Sequence, residues 1–254
     1  DTDQEEVARL AARYDLLAIP VTDGSNRMLG IITVDDIIDV VKEEATEDFL
    51  KMVGTSDSEL VHQMKSIRVA GIRLPWLLIN LAGLLTVGSL IKHFQVSFGE
   101  ALFLLTFVPV IMGMGGNVGS QTSTLAIRGL ATGHVVLGEG RALRFVLQQL
   151  RIGVVLGLVC ATLAATGAYL LEGVFRFSSA STFSVGTYAG IVAAALFLAI
   201  VVASVNGAVI PLLFKRLGVD PAVAAGPLVS TLNDLTGIVI YFGIATALFD
   251  VLMH

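Results

Sequence analysis

A single carboxylate, Asp234, stands inside a stretch that carries no other charge from Pro221 to Phe249. Its surroundings read STLNDLTGIVIYF over residues 230–242. If this stretch crosses a bilayer, the charge lies near the middle, where an ionised aspartate costs about 3 kcal/mol. Such a group belongs in a bundle interior or beside a water-filled path. Helical spacing puts Thr231, Ser230, Pro227 and Gly226 on its face before it, and Gly237 after it. Ile238, one turn on, breaks that small, polar pattern. Asn233 lies about 100° around the helix and can reach a neighbouring element. The alternative is a neutral, structural Asp234 held by hydroxyls. A small polar stripe with one carboxylate describes a pore-lining helix better than a lipid-facing one.

A second unusual run, VPVIMGMGGNVGSQTSTLAIRG, begins at Val108. Pro109 can bend a helix and free a carbonyl. Gly113, Gly115, Gly116 and Gly119 weaken its C-terminal part. Asn117, Ser120, Gln121 and Thr122 offer neutral oxygens and amides. The expectation is either broken backbone lining a cavity, which membranes tolerate, or a helix end at the cytoplasmic interface. One carboxylate with neutral oxygens, and no thiolate or imidazole cluster, suits a hard cation such as magnesium, calcium or manganese. His62, His93, His134 and His254 are scattered. Cys160 sits in an apolar run and reads as a packing residue.

These residues need elements to hold them. Charged residues make up 15% of the 254, against roughly 25% in soluble domains. The net charge of −5 arises from an acidic excess in the first sixty residues. That pattern belongs to a membrane domain with a soluble appendage. The chain opens on an acidic helical segment with no signal-peptide pattern. Residues 1–48 read as α/β: helix, strand, a DGSN turn, strand, and a helix N-capped by Thr33 or Asp35. So small a unit needs a partner half. Residues 49–72 read as a connecting helix. About 20 apolar residues cross the hydrocarbon core, and 73–254 holds five such spans, at about 74–92, 101–121, 150–172, 184–214 and 221–250. The polar SSASTFS before Val185 reads as a loop. Lys65, Arg68, Arg73, Arg128, Arg141, Arg144, Arg151, Lys215 and Arg216 fall on one side, Lys92 and Arg176 on the other. The basic side is cytoplasmic. The N-terminal unit is then inside and the C-terminus outside. The fold class is a mainly α, polytopic membrane protein with five transmembrane helices.

PVIMGMGGNVGSQTSTLAIRGLATG together with DPAVAAGPLVSTLNDLTGIVIYF resembles the membrane domain of the MgtE family of magnesium channels. PVTD, GIITVDDIIDV and EEATEDF resemble the later part of a CBS domain. The resemblance spans nearly the whole chain, although the family's N-terminal helical domain and first CBS domain have no counterpart here. It implies a homodimer in the cell membrane, with a pore on the two-fold axis built mainly from the second and fifth spans. Asp234 matches the acidic residue of the family's central ion site, and Ser230 and Gly226 match positions lining it. Gly226 departs from members with an amide there. Asn117 and Gln121 fall in the signature segment, and with Pro227 and Thr231 are expected to line the pore. Two Asp234 carboxylates across an axis would repel, and a divalent cation lets both ionise. Magnesium sheds water reluctantly, so the pair is expected to hold the hydrated ion.

The helix from Val34 carries Asp35, Asp36, Asp39, Glu43, Glu44, Glu47 and Asp48. A charge run is usually a solvated face, but like charges at these spacings destabilise a helix unless a cation offsets them. The resemblance implies that cytosolic magnesium binds at Asp15, Asp36, Asp39, Glu44, Glu47 and Asp48 and closes the pore through the connector. Thr33 and Asp36 also resemble a ribose-contacting pattern, so ATP at the CBS unit is a further expectation. Neither an enzyme nor a nucleic-acid partner is expected. An intramembrane aspartyl protease needs two aspartates sharing a proton, and Asp220 lies only at a helix entrance. A proton- or sodium-coupled divalent-metal transporter is the main alternative to a channel. A purely structural anchor would not need Asp234.

Overall fold

The computed structural model describes residues 2–56, 65–98, 102–138, 140–175, 184–224 and 226–253. Expectations for 57–64 of the connector and for most of the loop at 176–183 lie outside the described residues, as do Ala101 and His254.

The N-terminal unit consists of α1 (Gln4–Tyr14), β1 (Ala18–Thr22), β2 (Met28–Thr33) and α2 (Val34–Met52). Asp3 caps α1 by accepting from the Glu5 N–H, and Asp15 ends it in the left-handed region at φ 51°. The two strands pair antiparallel. Asp23 orders the turn, because its Oδ1 accepts from the N–H groups of Ser25 and Arg27. Thr33 takes the N-cap position of α2, and its hydroxyl bonds Asp36 rather than the helix backbone. The core of this unit is Ala8, Ala11 and Ile37, packed against Ile19 and Ile32. So small a core supports the view that the unit depends on neighbours.

The remainder is helical: α3 (Ser66–Phe98), α4 (Leu102–Leu105), α5 (Val108–Ala131), α6 (Arg141–Phe175), α7 (Val185–Arg216), α8 (Pro221–Ala224) and α9 (Pro227–Met253). Among the described residues, five helices are long and apolar enough to cross a membrane, over Ser66–Phe94, Phe103–Ala131, Arg141–Leu171, Val185–Arg216 and Pro227–Leu248. The first continues without a break through the boundary expected near residue 72, so the described end of the connector is already part of α3.

The second span also differs from expectation. Pro109 does not bend it. Pro109 sits in the first turn of α5, where a missing N–H costs nothing because no intrahelical acceptor awaits it. The interruption lies earlier, at Thr106–Phe107, between α4 and α5. The glycines leave the helix intact and allow close approach instead. A Cβ on Gly207 of α7 would strike the backbone oxygen of Gly119 on α5. Small residues let helices touch in this way where lipid offers no hydrophobic drive.

α5, α7 and α9 pack on one another and form the bundle centre. Their shared core includes Ile111, Ile191, Leu196, Ile200, Ile238, Tyr241 and Phe242. α3 packs chiefly on α9, and α6 chiefly on α7. These two outer helices leave most of their apolar side chains on the surface.

Candidate functional site

α9 begins at Pro227, whose missing N–H suits the first helical turn. Asp234 follows two turns later. Its side chain is half-buried and turned toward α5. A Cβ built on Gly116 would lie 3.6 Å from Asp234 Oδ1 and 4.0 Å from Ser230 Oγ. Among the described residues, no hydrogen bond or ion pair reaches the Asp234 carboxylate.

The residues just before Asp234 are tied down. Ser230 Oγ lies 3.1 Å from Ser120 Oγ of α5. Thr231 donates to Asn80 Oδ1 of α3 at 3.2 Å. Asn233 accepts from Asn206 Nδ2 of α7 at 3.1 Å. Successive residues point about 100° apart, so three neighbours of Asp234 bind three different helices. The carboxylate has no such tie among the described residues, and Asn233 Nδ2 is likewise without a partner. Tight glycines make room for this: a Cβ on Gly83 would overlap Thr231, and one on Gly119 would overlap the Asn233 amide.

Ser230 therefore lies beside Asp234, as its spacing predicts. Thr231 does not share that open face; it is buried under α3. Asn117 and Gln121, one turn apart on α5, are exposed on the surface that continues from Gly116 and Ser120. The polar stripe ends because Ile238 and Tyr241 join the core, and the Tyr241 hydroxyl donates to the Leu104 carbonyl at 2.7 Å. That packing explains why Ile238 breaks the pattern.

Gly226 lies immediately before the first turn of α9. It adopts φ +63°, and a Cβ there would run into the backbone oxygen of Met52. An amide side chain has no room in this arrangement. Met52 is part of the C-terminal turn of α2, which is seated among the long apolar helices. Met52 packs against Ile127 of α5 and Ala222 of α8. A Cβ on Gly54 would stand 3.3 Å from Trp76 of α3. Lys51 Nζ bridges Glu47 at 2.6 Å and Asp220 at 2.7 Å, while the other Asp220 oxygen caps α8 through the Ala222 N–H.

Around this tie lies a cavity of about 340 Å³, lined by Asp3, Glu5, Glu44, Asp48, Asp220, Lys51 and Lys215 among others. Burial, reinforced by Asp220 and Glu5, pushes the Asp48 carboxyl up to about 6, against the opposing Lys51. Burial likewise raises Glu5. Glu44 and Asp48 are thus brought together, and Glu47 joins them through Lys51. Asp15, Asp36 and Asp39 do not line this cavity: Asp15 closes α1, Asp36 pairs with Thr33, and Asp39 pairs with Lys42 at 3.3 Å. The Thr33–Asp36 pair expected to contact a ribose is hydrogen-bonded to itself at 3.1 Å. Among the described residues, no three His, Cys, Asp or Glu side chains of one chain form a metal-binding group. Asn80, Asn206, Lys51 and Asp220 went unassigned from sequence. Amides inside apolar runs at 80 and 206 were the available signal.

The MgtE family profile, described as a divalent cation transporter, matches residues 108–244, and a CBS-domain profile matches residues 1–43. The chain belongs to the MgtE family. It is 40% identical over 245 residues to a magnesium transporter MgtE of Bacillus subtilis, covering 96% of this chain and 51% of that protein. The Thermus thermophilus magnesium transporter MgtE is 38% identical over 251 residues, covering 98% of this chain and 53% of the relative. The chain spans about half the length of these curated relatives.

Proposed function

We propose that this chain supplies the membrane pathway, and part of the cytosolic sensor, of a magnesium channel in the cell membrane. The observation that carries the reading is the unpartnered, half-buried Asp234 carboxylate opposite Gly116, beside the exposed polar surface of Asn117 and Gln121. Two copies related by a two-fold axis place two such carboxylates across one path. Ser230 and Pro227 line it from α9 and Gly226 from just before that helix, with Asn117 and Gln121 opposite and Thr231 bracing the helix from behind. A divalent ion relieves the repulsion between the carboxylates. Magnesium holds its water, so the site binds the hydrated ion through its shell. The N-terminal unit lies in the cytosol and the C-terminus outside.

Closure arises from the seat of α2 on Gly226. Magnesium shared between this acidic surface, at Glu44, Glu47 and Asp48, and a partner CBS unit that Asp15, Asp36 and Asp39 face screens the acidic helix and holds its end against the pore mouth. The decisive experiment is magnesium flux into liposomes carrying the full-length protein, with Asp234→Asn beside the unchanged protein. Flux is expected to vanish while the variant stays folded and dimeric; undiminished flux overturns the ion site. A fixed proton-to-metal or sodium-to-metal ratio in the same assay would make the protein a coupled transporter instead of a channel. Replacing Asp36, Asp39 and Glu47 by neutral residues is expected to leave conduction that high internal magnesium no longer silences.

A further inference from the structure

The Asn206–Asn233 hydrogen bond has no part in holding a hydrated ion at Asp234, yet the bundle is built closely around it. Asn233 is 1% exposed and sits where α5, α7 and α9 meet. Its amide fills the space that a side chain at Gly119 would take. Next to Asn206, Gly207 brings α7 against the Gly119 backbone. A buried amide between helices is costly unless bonded, and an apolar side chain of similar size would pack this crossing without that cost. The amide pair does what apolar packing cannot: it admits one rotation of α9 about its axis. A turn of α9 in either direction breaks the bond and leaves the buried Asn233, whose Nδ2 has no partner among the described residues, with none at Oδ1 either.

We infer that the Asn206–Asn233 pair is a rotational lock that holds the Asp234 carboxylate toward the ion path. The two are positioning residues, since neither touches the ion. The lock rests on the proposed role of Asp234 and adds to it the group that sets its direction. It is one of three ties. Thr231–Asn80 joins an outer helix that packs chiefly on α9 and can move with it. Ser230–Ser120 joins two hydroxyls that can rotate to follow each other. Only Asn206 offers a planar, directional donor from a helix packed at the bundle centre.

The test uses the full-length protein with Cys160→Ala, so that Asp234→Cys introduces the one thiol of this region. In liposomes, the rate at which a charged, water-soluble thiol reagent modifies position 234 reports whether it faces the water path. With Asn206 present, modification is expected to be fast. With Asn206→Leu it is expected to slow at least fivefold, and with Asn206→Asp, whose carboxylate accepts from Asn233 Nδ2 once that amide turns over, most of the rate returns. Asn206→Ser serves in place of the leucine variant if that one fails to fold. In the Asp234 background, Asn206→Leu is expected to raise the half-saturating magnesium concentration by a similar factor. Equal modification rates in folded Asn206, Asn206→Leu and Asn206→Ser proteins overturn the lock. No modification even with Asn206 present overturns the water-filled path itself, and the lock with it.

Discussion

Gly116→Ala separates the packing of the site from its chemistry. The new methyl carbon would stand 3.6 Å from Asp234 Oδ1 and 4.0 Å from Ser230 Oγ, both ordinary contacts. No atom must move, and alanine is the better helix former by about 1 kcal/mol in an exposed helix. The variant should fold, with a melting temperature in detergent equal to or above that of the unchanged protein. The chemistry should suffer. A water that bridges carboxylate and ion sits about 2.8 Å from the oxygen, and the methyl group occupies the approach from α5. Losing one such bridge from each carboxylate removes about 1 kcal/mol, or roughly a fivefold rise in the half-saturating magnesium concentration per site. Flux into liposomes across a magnesium titration measures this. Unchanged half-saturation with unchanged stability would refute the idea that water between Gly116 and Asp234 takes part. A loss of folding would instead refute the open packing at Gly116.

Much of this site is legible in the sequence, for physical reasons. A lone carboxylate in an apolar run has few tolerable environments, so Asp234 declares itself. The i, i+4 spacing sets Ser230 beside Asp234, and Asn117 with Gln121 on one exposed surface, because helix geometry is rigid. Spacing misplaces Thr231, because face arithmetic cannot say which neighbour covers a residue about 60° away; α3 does so through Gly83. Pro109 reads as a kink because no local pattern marks Val108 as the start of the helix. Two seats depend on contacts across more than a hundred positions, Lys51 on Asp220 and Met52 on Gly226. Local patterns do not encode them either. The glycine in place of an amide at 226 is explained only by the Met52 carbonyl that lies against it.

The packing makes three further outcomes testable. Gly207→Ala should be far worse than Gly190→Ala on the same helix: the first meets the Gly119 backbone and Thr122 Cβ at 2.9 Å, the second meets nothing within 4 Å. A loss of about 1–3 kcal/mol is expected for the first, read as a lower melting temperature in detergent. Lys51→Met keeps the stem but cuts the bridge to Asp220, so α2 should lift more readily; protease cleavage near Gly54 should speed several-fold at neutral pH, and an unchanged rate would mean the ion pair does not hold the seat. The third outcome concerns proton and metal together. Asp48 is held up to about 6 when α2 is seated, by burial first and then by Asp220 and Glu5, whereas a solvated aspartate titrates near 4. The seated state therefore binds the proton more tightly. Its support is full below about 4 and is lost as pH rises through about 6. Half-exposure screens this to about 1 kcal/mol. Cleavage near Gly54 should then slow about fivefold from pH 7.5 to pH 5. Asp48→Asn should flatten that profile at the slow end, because its amide needs no proton. Magnesium at pH 7.5 should slow cleavage as acid does if it occupies the same cavity, since a bound cation offsets the charge a proton would have removed. Slowing by acid without slowing by magnesium would place the sensing metal somewhere other than at Glu44, Glu47 and Asp48.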